Sequence, residues 1–230
     1  MRMFILAAAL FGCASTRGVV HPDVTGARLR PYENLWNWAI VGADGSVKPQ
    51  GTWSDRLEIG GGVGRRTQEQ RLPDGRKIVT VNVFDLRTLA PIERDWRVFD
   101  GRFTHLEFDG REVRRTAVRK PGAAIETGRA VLPEAVFDFN GGMYGLLLRG
   151  FPLRDGYSAT FATIAEDGDD VQHLRLIVRG REPVGGRNAW LVEVPESDYG
   201  RMTFWLSDDP PYILRLTFPL GQGTVVYEMA

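Results

Sequence analysis

Aspartate and glycine turn pairs recur along this chain at short intervals, and they confine most of it to strands. They are Asp44-Gly45, Pro73-Asp74-Gly75, Asp100-Gly101, Asp109-Gly110, Asp155-Gly156, Asp167-Gly168 and Gly185-Gly186. Both residue types tolerate the positive φ that tight hairpin reversals demand. Between the turns the apolar period is two: Val79, Val81 and Val83 alternate with Thr80, Asn82 and Phe84, and Leu174, Leu176 and Val178 alternate with His173, Arg175 and Ile177. That spacing suits antiparallel strands with one face inward and the other partly wet. One segment departs from the rhythm. Leu132, Val136, Phe139, Met143, Leu146 and Leu147 recur at helical spacing behind Pro133, interrupted by Gly141 and Gly142, which predicts one short helix around residues 133–149, packed on the sheet. The fold class is therefore mainly β, with residues 32–230 forming one domain.

The turns also fix registers. A two-residue loop at Asp100-Gly101 would pair Val98 with Phe103, Trp96 with His105 and Arg94 with Glu107 on one face. In the last hairpin an even loop around Asp208-Asp209-Pro210-Pro211 would mix faces. A three-residue loop, Asp209 to Pro211, instead groups Met202/Phe218, Phe204/Leu216 and Leu206/Leu214 on one face, with Thr203/Thr217 and Trp205/Arg215 on the other. A one-residue slip would expose three apolar pairs at about 1.5–3 kcal/mol per side chain, so the odd loop is expected.

The amino terminus reads as an address. Arg2 precedes an apolar run from Met3 to Phe11, too short to span a bilayer but suited to a signal peptide over residues 1–12. Cys13 is the only cysteine, and Leu10-Phe11-Gly12-Cys13 reads as a lipobox whose thiol is lipidated and becomes the mature first residue. Each buried methylene of an attached acyl chain favours the membrane by about 0.8 kcal/mol, and more than one chain makes the attachment durable. The competing reading is an ordinary cleavage after Ala14 and a soluble periplasmic protein. Residues 13–31 are broken by Gly18, Pro22, Gly26 and Pro31, and as a flexible tether such a segment would reach about 25 Å. Ala14 after the cysteine, by resemblance to bacterial lipoproteins, favours the outer membrane.

The charges balance at 29 basic and 29 acidic residues, and the arginines are scattered, so nothing directs the chain to nucleic acid. No segment after the leader approaches the roughly 18 apolar residues of a membrane-spanning helix.

A family resemblance runs through the carboxy-terminal half. It is carried by Phe151-Pro152-Leu153-Arg154-Asp155-Gly156, Val178-Arg179-Gly180-Arg181-Glu182, Phe204-Trp205-Leu206-Ser207-Asp208-Asp209 and Gly223-Thr224-Val225-Val226-Tyr227, with Thr88-Leu89-Ala90-Pro91 and Phe108-Asp109-Gly110 upstream. Over most of residues 50–229 the chain resembles a bacterial exported and lipoprotein family, domain of unknown function 3108. It departs in carrying Pro210-Pro211 straight after the aspartate pair. The resemblance implies a spiral or half-open antiparallel β-roll, no established reaction and no catalytic residue. More distantly, such rolls are similar to lipoprotein-sorting half-barrels, whose concave apolar face shelters acyl chains beneath a helix.

Candidate chemistry is sparse. No serine lies in a G-x-S-x-G elbow; Gly156-Tyr157-Ser158-Ala159-Thr160 lacks the closing glycine. The three histidines, His21, His105 and His173, lack metal-ligand spacing, although His105 and Glu107 point the same way. Glu166-Asp167-Gly168-Asp169-Asp170 is half a calcium loop without the spaced ligands and final glutamate, and a charged hairpin turn explains it better. Gly60-Gly61-Gly62-Val63-Gly64 precedes the polar run Arg65 to Gln70 and no Gly-Lys dipeptide occurs, so it reads as a loop or bent strand and not a phosphate cradle. No metal or other cofactor is expected.

Six tryptophans, 36, 38, 53, 96, 190 and 205, are mostly core or sheet-face residues by this reading. Trp205 is the exception, placed by register beside Arg215 for cation-π stacking and hence a candidate ligand contact. The expected function is a non-catalytic envelope lipoprotein that binds or scaffolds an apolar ligand or another envelope protein, its membrane contact being the lipid on Cys13. The alternative is a carrier of acyl chains, in an apolar cavity lined by Met143, Leu147 and the strand faces. A hydrolase of envelope polymers would need converging carboxylates or a partnered histidine in one cleft.

Overall fold

Fourteen strands follow one another with only one interruption in a computed structural model describing residues 20–165, 168 and 170–230. Cys13 and the leader lie outside the described residues, as do Glu166, Asp167 and Asp169 of the acidic turn. The first run holds β1 (Tyr32–Gly42), β2 (Val47–Gly60), β3 (Val63–Arg71), β4 (Lys77–Asp85), β5 (Pro91–Val98), β6 (Phe103–Asp109), β7 (Glu112–Val118) and β8 (Glu126–Val131). The second holds β9 (Ser158–Ile164), β10 (Val171–Val184), β11 (Arg187–Ser197), β12 (Gly200–Leu206), β13 (Ile213–Leu220) and β14 (Gly223–Met229). Each run is an antiparallel meander, and β1 pairs with β14 to join them into one sheet ordered β8 to β1, then β14 to β9.

The sheet curves without closing, because its two edges, β8 and β9, are not hydrogen-bonded to each other. They are brought near by packing: Leu106, Phe108 and Val113 from β6 and β7 share a small core with Ala162 and Ile164 of β9. The segment between the edges crosses the hollow. It contains a π-type turn, Phe139–Met143, with Gly142 at φ +116°, and a single helix α1, Tyr144–Arg149. The helix is thus shorter than its periodicity predicts, since two glycines cannot hold the helical path. It is also a plug inside the roll: Leu146, Leu147 and Leu148 are fully buried against both meanders. Phe137 fastens the plug to β9, donating to Ala162 O at 2.9 Å and accepting from Ile164 N at 2.9 Å.

Residues 20–31, expected as part of a flexible tether, are packed on the domain instead. Val24 and Leu29 enter the main core, Thr25 N donates to Gly150 O at 3.0 Å, and Arg30 N donates to the Tyr212 hydroxyl at 2.7 Å. Two apolar side chains suffice, because each buried one stabilises the docked state by about 1.5–3 kcal/mol.

Turn chemistry decides where the register expectations hold. In the β12–β13 hairpin Thr203 pairs with Thr217, Phe204 with Leu216 and Trp205 with Arg215, as expected, but a bulge then sets Leu206 opposite Ile213 and not Leu214. Ser207 N donates to Tyr212 O at 2.8 Å, so the loop is four residues, Asp208 to Pro211. The β5–β6 hairpin is shifted by one. Val98 N donates to Arg102 O at 2.9 Å and closes a three-residue loop in which Gly101, φ +87°, takes the last, left-handed position. Arg97 therefore faces Phe103, Trp96 faces Thr104, Asp95 faces His105 and Arg94 faces Leu106. The glycine-rich stretch at 60–64 is a hairpin turn, Gly60 opposite Val63, joining β2 and β3.

Candidate ligand-binding cavity

The shifted register turns Arg94 inward, and it is not alone. Strand pairing aligns Arg66 of β3, Asn82 of β4, Arg94 of β5, Leu106 of β6 and Arg115 of β7 in one row across the concave face. Arg66 and Asn82 lie on the inner face while Val79, Val81 and Val83 lie on the outer one, so on β4 the more polar of the two alternating sets points inside. A buried charge must be paired and hydrogen-bonded to persist, and these are. Arg66 makes a two-pronged contact with Asp55 of β2, Nε to Oδ1 at 2.8 Å and Nη2 to Oδ2 at 2.8 Å, with both side chains fully buried. Its Nη1 donates to Gly142 O at 2.7 Å and Met143 O at 2.9 Å. Arg94 Nη1 donates to Asp138 Oδ1 at 2.8 Å, and Asn82 Nδ2 donates to Asp138 Oδ2 at 2.9 Å and Gly141 O at 3.0 Å. The polar row is a dock for the π-type turn, whose carbonyls have no regular helical partners.

Electrostatics in the dock follows burial. Removal from water works against the Arg66 charge, but Asp55 and the Tyr32 phenol outweigh it and hold the guanidinium above the ordinary arginine range. Burial pushes the Asp138 carboxyl up, against the pull of Arg94 and Asn82. The Tyr32 hydroxyl, donating to Asp55 Oδ2 at 2.6 Å, is raised by burial and by that carboxylate.

Beside the dock the roll is not filled. A cavity of about 510 Å³ lies between β2–β7 on one side and β12–β14 on the other, with Asn140, Gly141, Gly142 and Tyr144 of the plug along it. That volume is in the range that encloses a drug-sized molecule. Three arginines line it, Arg94, Arg115 and Arg119, and among the described residues none that lines it is acidic. Trp53, Trp96, Tyr144, Tyr199, Phe218 and Tyr227 supply aromatic surface. These rings brace each other: Trp53 meets Tyr227 edge-on at 4.7 Å and Tyr144 at 6.3 Å, Tyr144 meets Tyr199 at 6.4 Å, and Phe218 stacks near Tyr227 at 6.2 Å. Gln70 Nε2 of β3 reaches the Tyr227 hydroxyl of β14 at 3.2 Å. Tyr144 stands at φ +30°, outside the regions non-glycine residues favour, a conformation that costs about 1–3 kcal/mol and persists only when neighbours enforce it. Trp53 Nε1 and Asn140 Oδ1, buried polar atoms of lining residues, have no hydrogen-bond partner among the described residues.

The sequence-predicted site residues do not meet in one place. Trp205 and Arg215 pair as expected, with the guanidinium 5.0 Å from the ring centroid, and the indole N–H donates to Glu182. They alternate with the buried Phe204, Leu206 and Leu216, which puts them on the outer face, away from the cavity. Met143 and Leu147 are buried in the main core at 2 % and 0 % exposure and are not among the residues that line this cavity. His105 sits on the outer face between Glu93 at 3.9 Å and Glu107 at 3.8 Å, and His173 meets Glu134 at 2.8 Å. Among the described residues no group of three or more His, Cys, Asp or Glu could hold a metal ion, and no helix is long and apolar enough to cross a membrane. Sequence reasoning missed the arginines of the cavity wall. The available signal was alternation itself, which gives Arg66, Gln68 and Gln70 one face and Arg115, Ala117 and Arg119 another.

The profile of a family described as "Protein of unknown function (DUF3108)" matches residues 65–230, more than two thirds of the chain. The chain belongs to the DUF3108 family. In this member β1 and β2 precede the matched region yet occupy the middle of the sheet, so the family segment alone would lack Asp55 and Trp53. Among solved structures it is similar to a beta-barrel-like protein of domain of unknown function DUF1849 from Brucella abortus, with a TM-score of 0.57 and 12 % identity over 90 % of this chain and 97 % of that one. That likeness concerns the fold alone. None of the curated proteins matches this chain.

Proposed function

We propose that this DUF3108 protein is a non-catalytic binding module of the bacterial cell envelope that holds a small ligand in the cavity of its β-roll. The cavity carries the reading: about 510 Å³ of unfilled space inside an otherwise packed roll, walled by six aromatic rings and three arginines. A strained Tyr144 beside it supports the same view, since strain collects where a surface is shaped for a ligand. The acyl-carrier alternative draws less support, because the apolar space under α1 is occupied by Leu146, Leu147 and Leu148. Thr104 of β6 lines the cavity and is half-buried, so Thr104→Phe should fill it while suiting a strand. Saturable one-to-one binding of anilinonaphthalene sulfonate, read by fluorescence, is expected for the natural protein and is expected to be lost in this variant at unchanged circular dichroism. No saturable binding by the natural protein would remove the reading.

The address rests on Leu10-Phe11-Gly12-Cys13: lipid on Cys13 would anchor the module to the outer membrane, facing the periplasm. Mass spectrometry of membrane-extracted protein is expected to find a mature chain beginning at a triacylated Cys13. An unmodified chain beginning at Ser15 would instead indicate a soluble periplasmic protein.

A further inference from the structure

We infer that β8 is a self-pairing edge: two copies of this chain join their sheets antiparallel across it, centred on Gly128, with Ile125 of each copy opposite Val131 of the other. Among the described residues β8 is hydrogen-bonded only to β7, and an exposed edge is a template for another strand unless something blunts it. β8 holds no proline and pairs with β7 without a bulge, and its two charged side chains are held within their own sheet, Arg129 on Glu112 at 2.6 Å and Glu126 on Arg119 at 3.3 Å. Its ends carry apolar surface. Ile125, just before the strand, and Val131, its last residue, are 64 % and 66 % exposed, more than any other large apolar side chain among the described residues.

Backbone phase decides which registers are open. Leu132 N donates to Arg111 O at 2.8 Å, continuing the ladder that sets Val131 opposite Glu112. Hydrogen-bonded positions alternate along an antiparallel strand, so the even-numbered residues of β8 bond to β7, while Thr127, Arg129 and Val131 turn their N–H and C=O groups to the free edge. Two such strands can therefore pair only with odd residues opposite odd ones. Centring the pair on Glu126 or Arg129 sets like charges directly opposite, which is destabilising. Centring it on Thr127 leaves Ile125 facing Arg129 and Val131 facing Ala123, and centres further out pair fewer residues. Gly128 at the centre matches Ile125 with Val131 twice over, with Thr127 opposite Arg129 between them. None of these residues lines the cavity, so the contact stands apart from ligand binding.

An edge of six residues a side falls short of the roughly 1,200 Å² of a standard interface, so the dimer is expected to depend on concentration. Sedimentation equilibrium on the full chain carrying Cys13→Ser, which cannot be acylated at that position, tests it. The apparent mass is expected to rise from one chain toward two between about 10 µM and about 1 mM. Thr127→Pro removes an outward N–H and no bond to β7, and Val131→Lys sets a charge opposite an apolar neighbour; each is expected to weaken the dimer at least about tenfold. Val47→Lys, at a residue 63 % exposed on β2, is expected to leave it unchanged. Circular dichroism checks each fold, and because Val131 is exposed its variant keeps the test open should Thr127→Pro unfold the protein. A chain that stays monomeric to about 1 mM, whether its edge is then bare or taken by a different protein, would overturn the inference. So would a dimer that Thr127→Pro and Val131→Lys leave intact, or one that Val47→Lys weakens as much as they do.

Discussion

Arg66→Met is expected to lower the unfolding free energy by about 3–5 kcal/mol, the usual penalty for removing one partner of a buried ion pair. For a domain whose whole stability is on the order of 5–15 kcal/mol that is a large fraction. Methionine fills much of the space of the arginine stem, so the penalty is electrostatic and not a cavity. Asp55 is fully buried and, among the described residues, would keep as side-chain partner only the Tyr32 hydroxyl at 2.6 Å, while the carbonyls of Gly142 and Met143 would lose their guanidinium donor. A double variant, Asp55→Leu with Arg66→Met, separates these terms. Removing both charges should recover most of the ion-pair penalty, as is common when a buried pair gives way to apolar groups. The orphaned carbonyls remain, at about 1–3 kcal/mol each, so recovery should be incomplete. Urea unfolding followed by tryptophan fluorescence measures all three proteins. A single variant within about 1 kcal/mol of the natural protein would mean that Arg66 does not hold the plug, and full recovery in the double variant would mean that its carbonyl bonds contribute nothing.

The same residue shows why the fold was legible in the sequence and the site was not. Alternation and glycine turns are local signals, and they suffice for the strands, the antiparallel sheet and most of the β12–β13 register, where three aliphatic or aromatic pairs had to share a face. The dock of this roll depends on polar residues facing inward, and nothing local marks an inward arginine. Arg66 finds its carboxylate 11 positions away on β2 and its carbonyls 76 and 77 positions away in the plug. Read without those partners, Arg65 to Gln70 is merely a polar run. Arg94 is hidden by a one-residue shift: a two-residue loop at Asp100-Gly101 sets it opposite Glu107, whereas the three-residue loop from Phe99 to Gly101 sets it opposite Leu106, with its guanidinium on Asp138. Two registers differing by one residue thus separate an Arg94–Glu107 pair from an Arg94–Asp138 pair that holds the plug. Trp205 and Arg215 illustrate the reverse case, in which a correct register correctly predicts a stacked pair that faces away from the cavity.

Gly141→Ala should be among the most damaging single-methyl additions in this chain, costing at least about 3 kcal/mol. A β-carbon there would lie 2.0 Å from Arg94 Nη1 and 2.0 Å from Asp138 Oδ1, with Arg94 Cδ at 2.6 Å. Overpacking a buried site by one carbon costs about 1–3 kcal/mol when neighbours can yield. Here the neighbours are the two members of a buried ion pair, and moving either one breaks a contact whose loss is in the 3–5 kcal/mol class. Gly75→Ala is the internal control. It sits in a hairpin loop at φ +84° with nothing within 4 Å of the added carbon, so it meets backbone strain without any clash and should cost about 1 kcal/mol. If left-handed backbone were what makes glycine necessary in this protein, Gly75 would be the more sensitive of the two, since Gly141 does not have a positive φ. If close approach of the plug to its dock is what matters, the order reverses and Gly141→Ala also weakens binding of the sulfonated probe, because Gly141 and Arg94 both line the cavity. Denaturant midpoints at constant unfolding slope rank the two variants directly, and equal losses at both positions would refute the account of the plug given above.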